Sequence, residues 1–443
     1  MAIGGFMIEV PGDKSISHRA LLLGVLSGGR SNIRGLLNGE DCQSTARVLR
    51  ALGARLPPLP DDGSEFGIEG VGLHGLGSPT QVLDCGNSGT TARLLLGLLA
   101  GLPVEATLTG DLSLQSRPMR RVTQPLGSMG ARFEDKGKPD RLPLTVKGGK
   151  LSSFSYRSPV ASAQIKSALL LAAVTGGVPV EVEEPHRSRD HTERMLRRMG
   201  VAVEEEAGPS GWRVRIPDPP KELAPLRFHV PGDFSSAAFL VAFGLMGGSG
   251  EELRIENVGL NPTRTGLLDV LRAMGAEIRV EDGREEGDPA GEPAGTLVVS
   301  PSELRGTSVG GATIPLLLDE IPILAVLAAR AEGVTEIRDA AELRVKESDR
   351  LNVIAGNLRT LGAKVEELPD GLRIRGAAAP LEGRVSVHRD HRIAMAFGVL
   401  GALPNQRVTV DDPGAADVSF PGFWELLASL SAGTGAKGGI GQA

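Results

Sequence analysis

Cysteine is almost missing from this chain. Cys42 and Cys85 are the only two in 443 residues, too few for a disulfide scaffold, and no Cys/His cluster has the spacing of a zinc site. A reducing, cytoplasmic setting is the expectation. Aromatic residues are scarce at 3%, with one Tyr and two Trp, which argues against a platform that stacks single-stranded bases. Excess basic charge is lacking too: the formal net charge is -6, the wrong sign for a nucleic-acid binder. Apolar runs are short, as from Ala168 to Val174, far below the roughly 18 residues that span a bilayer. Met1 to Val10 has no basic patch and no apolar core of a signal peptide. Walker, dinucleotide and Gly-x-Ser-x-Gly patterns are absent, so nucleotide-driven chemistry and serine hydrolysis lose support.

What the chain does have is ordinary globular composition, 41% hydrophobic and 23% charged, with 60 Gly and 30 Pro. Its length suggests two or three domains with many tight turns. A short motif recurs: Leu52-Gly53-Ala54, Met129-Gly130-Ala131, Met199-Gly200-Val201, Met274-Gly275-Ala276 and Leu361-Gly362-Ala363. Each follows a charged amphipathic stretch and precedes a strand-like one. The glycines step by 77, 70, 75 and 87 residues, against about 74 for six equal units. Glycine there suits a helix C-terminus that needs a left-handed backbone. A degenerate sixth copy is expected within Phe423 to Gly433.

Six other helical stretches run in phase with these and are apolar nearly all round: Lys14 to Leu26, Asn87 to Leu99, Ser162 to Val174, Ser235 to Met246, Asp319 to Ala329 and His391 to Leu400. A helix without a polar face belongs inside its domain. Each opens on a residue suited to capping or binding. Val10-Pro11-Gly12-Asp13 returns as Val230-Pro231-Gly232-Asp233, which points to two similar halves of three units, with residues 1 to 12 crossing into the second half. Glu281 to Gly295, dense in Glu, Gly and Pro, is expected to be an exposed hairpin tip or a mobile loop, and residues 434 to 443 a frayed tail.

Three parallel buried helices per half would gather their N-termini, where unpaired N–H groups and the helix dipole attract anions. Lys14, Arg19, Arg117, Lys166, Arg187, Arg189, Lys346, Arg350 and Arg392 lie at or near these places. The inference is a cleft between domains for a small polyanionic substrate. For any single Lys or Arg, a solvated surface position is the commoner outcome. Arg344, Lys346, Glu347, Asp349 and Arg350 also suit a charged helix face, Asp319 an N-cap, His18 and His391 satisfied interior positions, and Gly86 to Thr90 a plain turn. Their phase with the repeat favours the functional reading.

Pro11-Gly12-Asp13-Lys14-Ser15-Ile16-Ser17-His18-Arg19, Gly86-Asn87-Ser88-Gly89-Thr90, Arg344-Val345-Lys346-Glu347-Ser348-Asp349-Arg350 and Asp390-His391-Arg392-Ile393-Ala394-Met395, in this order, resemble the 5-enolpyruvylshikimate-3-phosphate synthase family over essentially the whole chain. Ser162-Ala163-Gln164-Ile165-Lys166 and Arg189-Asp190-His191-Thr192-Glu193 are similar to its second class, the one associated with glyphosate tolerance. The resemblance implies an α/β fold, a two-domain inside-out α/β barrel of six βαβαββ-type units. Residues 13–231 would form the shikimate 3-phosphate domain. Residues 1–12 and 232–443 would form the acid–base and phosphoenolpyruvate domain, with the active site in the cleft. The implied reaction moves the enolpyruvyl group of phosphoenolpyruvate to the 5-hydroxyl of shikimate 3-phosphate and releases phosphate, with no metal or organic cofactor, in a cytoplasmic monomer that binds neither nucleic acid nor membrane.

Carried over by motif, Lys14, Ser15, Arg19, Ser162, Ala163, Gln164, Arg189, Asp319 and Lys346 would hold shikimate 3-phosphate. Lys14, Gly89, Arg117, Gln164, Arg350 and Arg392 would hold phosphoenolpyruvate, whose carboxylate and phosphate suit paired guanidinium donors. Asp319 is expected to be the base for the hydroxyl. Glu347 would move the proton at the methylene carbon, with Lys14 the alternative. Val418 stands where many first-class members carry a Lys, and Glu342 where they carry an Asn. Gly89 stands where tolerant enzymes carry Ala, which predicts glyphosate sensitivity. The sister family acting on UDP-N-acetylglucosamine uses a loop Cys that neither Cys42 nor Cys85 matches. A noncatalytic sensor of anionic metabolites is the rival from another class.

Overall fold

The computed structural model describes residues 6–208, 211–283 and 291–432. One folding unit recurs through it. Its complete form is seen in Leu83–Asp84, the helix Gly89–Ala100, Glu105–Thr109, the helix Arg120–Met129, Arg132–Asp135 and Leu144–Lys147. The first strand pairs parallel with the second, the second antiparallel with the fourth, and the fourth antiparallel with the third. The same strand order holds in the sheets ending at Ile216, Ser300 and Arg375. Two copies are shortened. One keeps three strands, with only the Arg55↔Glu69 bridge in the fourth place, and the last keeps Glu382–Val385 beside Arg407–Val410. Six sheets with helices inside make an inside-out α/β arrangement, with no closed strand barrel among the described residues.

Two edge strands come from distant parts of the chain. Phe6–Glu9 pairs parallel with Leu253–Gly259, and Arg227–His229 pairs parallel with Arg30–Arg34. The described residues accordingly divide into a compact unit of 12–230 with 291–292, and another of 6–11, 231–283 and 293–432. The crossovers fall between Pro11 and Gly12 and between Val230 and Pro231, one residue before the breaks taken from the sequence. Gly12 is required there, since a Cβ would lie 1.8 Å from the Gly35 carbonyl oxygen.

Each unit has its own core. In the first it is built on the helices Lys14–Leu26, Gly89–Ala100 and Ala163–Gly176, and in the second on Phe234–Leu245, Ile321–Arg330 and His391–Ala402. These are the stretches without a polar face, so burial on every side is the only arrangement that removes their apolar surface from water. Small residues let them approach closely: a Cβ on Gly97 would meet the Ala168 carbonyl oxygen at 2.2 Å. The recurring glycines end the amphipathic helices as read from the sequence. Gly53, Gly130, Gly200, Gly275 and Gly362 all have positive φ, from 86° to 125°. The following residue in each case donates its N–H to the carbonyl five residues back, as in Ala54 to Leu49 at 3.0 Å, the bond of a Schellman ending.

Several local expectations change. The helical stretch Gly311–Arg330 is 20 residues long with mean hydropathy 1.8, long and apolar enough to span a bilayer. It is 67% buried within the protein and reads as core. Arg344 to Arg350 is not one charged helix face: a 3-10 turn runs from Ala341 to Val345, Lys346 is extended, and Asp349 caps the helix Arg350–Thr360. Glu277–Glu281 and Ala294–Ser300 pair antiparallel as the two arms of a hairpin, so Glu281, Ala294 and Gly295 lie in its strands rather than in its tip. Residues 284–290 of that expected loop, Gly433 of the sixth copy and the expected tail lie outside the described residues.

Candidate active site

The three core helices of the 12–230 unit begin side by side. Asp13 caps the first by accepting from Ile16 N–H at 2.8 Å, and Ser88 caps the second by accepting from Thr91 N–H at 3.1 Å. Lys14 and Asn87, the residues that open these stretches in the sequence, therefore do other work. Ser162 precedes the third helix and makes no capping bond through its side chain. Arg19 is buried and ties the first helix to the third: its guanidinium donates to Ser167 Oγ at 2.8 Å, to Thr192 Oγ1 at 2.6 Å and to the Ser15 carbonyl at 2.8 Å. Gln164 ties the third to the second, donating to Thr90 Oγ1 at 3.1 Å and accepting from Arg93 Nη1 at 3.0 Å. A hydroxyl chain from His18 Nδ1 through Thr45 and Thr91 to Ser88 closes the ring.

Lys14, Ser15, Arg19, Gly89, Ser162, Ala163 and Gln164 thus share one end of this unit. Arg117 joins them: a Cβ on Gly89 would lie 3.4 Å from Arg117 Nη1 and 2.6 Å from Arg93 Nη1. Arg117 is itself held by Asn87 and Ser113. Lys14 Nζ meets Asp41 at 2.5 Å. Burial, outweighing the attraction of Glu193 and Asp13 and aided by the charge of Arg189, brings Arg19 down to about 10. Arg19 stays charged at neutral pH. Burial, then Lys14 and Arg19, holds His18 well below 6.5, so it is neutral. This end is cationic, as the sequence predicted, with one correction. Lys166 is fully buried between Glu184 and Glu193, both at 2.8 Å, and is no anion ligand.

In the other unit the core helices also start together, but carboxylates crowd the end. Arg350, 1% exposed in its side chain, pairs with Asp390 at 2.8 Å, Glu347 at 2.6 Å and Asp319 at 3.3 Å. Burial would lower its pKa, yet Asp390, Glu347 and Asp319 together outweigh it and raise the value. Lys346 Nζ lies 3.7 Å from Asp319. Arg392 donates to the Asp319 carbonyl at 3.1 Å and lies 3.7 Å from its carboxylate. Asp319, Lys346, Glu347, Arg350 and Arg392 therefore form one cluster. Asp319 is not an N-cap: it sits in the 3-10 turn Leu318–Glu320, and the helix Ile321–Arg330 has no side-chain cap.

Sequence reasoning missed the layer beneath. Glu320 is fully buried, accepts from the Ser235 hydroxyl and lies 3.6 Å from Arg264, itself bonded to Ser235 at 2.6 Å. Asn261 Oδ1 accepts from the Thr263 backbone N–H at 2.9 Å and its hydroxyl at 2.7 Å, so the Asn-Pro turn signal before Arg264 was readable. Arg93 was readable too, as the one charged residue in an otherwise apolar helix.

The arrangement gathers guanidiniums with neutral partners at one end of the 12–230 unit and carboxylates among cations in the other unit. The sequence matches the family model of EPSP synthase (3-phosphoshikimate 1-carboxyvinyltransferase) over residues 5–427. It is 50% identical over 424 residues to a 3-phosphoshikimate 1-carboxyvinyltransferase of Desulfitobacterium hafniense, covering 96% of this chain and 95% of that one. It is 51% identical over 426 residues to one of Pelotomaculum thermopropionicum, covering 96% of each. Among solved structures, an EPSP synthase of Acinetobacter baumannii superposes with a TM-score of 0.80 at 37% identity, covering 96% of both chains. The enolpyruvyl transferase NikO of Streptomyces tendae, 18% identical with a TM-score of 0.72 over 96% of this chain and 95% of that one, shares the fold. With motifs, folding unit and matches in agreement from end to end, the chain belongs to the EPSP synthase (3-phosphoshikimate 1-carboxyvinyltransferase) family.

Proposed function

We propose that the chain catalyses its family's reaction through the two clusters just described. The enolpyruvyl group of phosphoenolpyruvate passes to the 5-hydroxyl of shikimate 3-phosphate, and phosphate is released. The 5-hydroxyl oxygen bonds to the central carbon of phosphoenolpyruvate while its proton leaves and the methylene carbon gains one. The methyl group so formed then gives a proton back, and the carbon–oxygen bond to phosphate breaks. Asp319 takes the hydroxyl proton. Glu347 moves the proton at carbon, with Lys14 the alternative group.

Lys14, Ser15, Arg19, Ser162, Ala163, Gln164 and Arg189 hold shikimate 3-phosphate, with Asp319 and Lys346 at its hydroxyl side. Lys14, Gly89, Arg117, Gln164, Arg350 and Arg392 hold phosphoenolpyruvate, and their positive charge stabilises the departing phosphate. Each set draws residues from both units, so turnover requires the two units to supply groups to one substrate pair, with water excluded. The protein works as a cytoplasmic monomer, with neither nucleic acid nor membrane as partner.

The observation that carries this reading is Arg350, one buried guanidinium that holds both carboxylates, Asp319 and Glu347. Both cysteines are buried, and burial pushes the Cys85 thiol up to about 12, which disfavours the sister reaction that uses a reactive thiol. The test is phosphate release from phosphoenolpyruvate with shikimate 3-phosphate, with UDP-N-acetylglucosamine, and with neither. Release only with shikimate 3-phosphate is expected. Silence in all three from folded protein would overturn the assignment.

A further inference from the structure

Glu184 ends the strand Val180–Glu184 and is 1% exposed. A carboxylate in that position needs a reason, because burying an ionised group is costly unless it is paired and hydrogen-bonded. Its bonds supply one. Oε2 accepts from the Ser162 backbone N–H at 3.3 Å, and Oε1 accepts from the Ser188 backbone N–H at 2.8 Å. The Ser188 hydroxyl lies 2.8 Å from Oε1 and 2.7 Å from Oε2. Lys166 Nζ meets Oε1 at 2.8 Å and also donates to the Ser188 carbonyl at 3.3 Å.

One carboxylate therefore joins two separate backbone segments. The first leads through Ser162 into Ala163 and Gln164, and the second runs through Ser188 to Arg189. Both carry residues assigned above to shikimate 3-phosphate. Lys166 neutralises the carboxylate from below and pairs with Glu193, whose pKa burial raises despite that ammonium. Glu193 in turn follows Thr192, which accepts from Arg19 Nε at 2.6 Å. From these bonds we propose that Glu184 is a positioning residue for the shikimate 3-phosphate site, setting the spacing of Ser162 and Arg189, with Lys166 as its buried counter-charge. The proposal rests on the assignment of that substrate to these residues.

A support of this kind acts chiefly on shikimate 3-phosphate, since Ser162, Ala163 and Arg189 are assigned to that substrate alone and Gln164 to both. Ser162 and Arg189 touch shikimate 3-phosphate in the assigned reading, whereas Arg117, Arg350 and Arg392 are assigned to phosphoenolpyruvate alone. Glu184→Gln removes the charge and turns one acceptor into a donor that cannot take the Ser162 N–H. Loss of about one charge-assisted hydrogen bond corresponds to roughly a tenfold change in binding. KM and the calorimetric Kd for shikimate 3-phosphate should rise about tenfold, while KM for phosphoenolpyruvate changes less than about twofold.

Ser188→Ala is the milder variant should Glu184→Gln fail to fold. It should shift the same ratio by a few-fold, and Ser188→Thr, which keeps the hydroxyl, should restore it. Equal changes in both KM values, or a loss of thermal stability with unchanged KM values, would mean that the network is merely structural and would overturn the proposal. Absence of shikimate-3-phosphate-dependent turnover in the unaltered enzyme would instead overturn the functional reading beneath it.

Discussion

The two units build the same platform and dress it differently. In both, three apolar helices start together at one end. On the 12–230 unit, guanidiniums and neutral partners join the helices: Arg19 and Arg93 meet Ser167, Thr192 and Gln164, with Thr45 and Thr91 continuing the chain from His18. On the other unit, carboxylates paired with cations do so: Asp319, Glu320, Glu347 and Asp390 against Arg264, Lys346, Arg350 and Arg392. Neutral donors and acceptors leave the helix dipoles and cations to attract an anion. Interleaved carboxylates instead suit the taking and returning of protons that the proposed reaction asks for. The Pro-Gly-Asp repeat makes the contrast concrete: Asp13 and Asp233 both cap, but the residue after the first is Lys14 and after the second Phe234.

The largest effect should come from removing the two carboxylates of the second unit to which proton transfer is assigned in the proposed reaction. Asp319→Asn and Glu347→Gln should each lower kcat by about 10²- to 10⁴-fold, while calorimetry reads unchanged shikimate 3-phosphate binding in Glu347→Gln and binding weakened by no more than a few-fold in Asp319→Asn, which keeps a polar group at the substrate hydroxyl. Loss of that binding in either variant would break the division of labour between the units. Next comes stability. Arg350→Gln leaves Asp390 buried with its main counter-charge gone, which should cost about 3–5 kcal/mol and appear as a lower Tm. An unchanged Tm would mean that the acidic end is not held by its cations.

Much of this was legible in the sequence, for reasons of period and position. The buried helices follow from apolar residues on every face, and the helix endings from Gly53, Gly130, Gly200, Gly275 and Gly362, whose positive φ other residues resist. What was not legible depended on partners distant in the chain. Lys166 looks like an anion ligand until Glu184 and Glu193 close on it. Glu320 looks like a mere neighbour of Asp319 until Ser235 and Arg264 reach it. The parallel pairing of Phe6–Glu9 with Leu253–Gly259 was foreshadowed only by the repeated Pro-Gly-Asp.

A smaller effect belongs to Gly89. Its added Cβ would sit 2.6 Å from Arg93 Nη1, the far end of a flexible side chain, so Gly89→Ala should fold with Arg93 shifted. KM for phosphoenolpyruvate should rise a few-fold, and inhibition by glyphosate should weaken by more. Equal inhibition of both proteins would remove Gly89 from the phosphoenolpyruvate site.

The smallest expected effect tests the electrostatic half of the comparison. His18 is buried between Lys14 and Arg19 and is held well below 6.5, by burial first and then by those cations. Above 6.5 the residue is neutral both folded and unfolded and contributes no pH dependence. As pH falls below that value the unfolded chain takes up a proton that the folded chain refuses, so folding stability declines. Glu193, raised above 4.5 by its burial, works in the opposite sense as pH falls, which makes the difference between two proteins the cleaner readout. His18→Gln can keep a bond to Thr45 without the titration. Denaturant unfolding between pH 6.5 and 5 should give a flatter stability profile for the variant than for the unaltered chain. Identical slopes would mean that the cationic end imposes no penalty on a further positive charge, and the contrast between the two ends would then rest on hydrogen bonding alone.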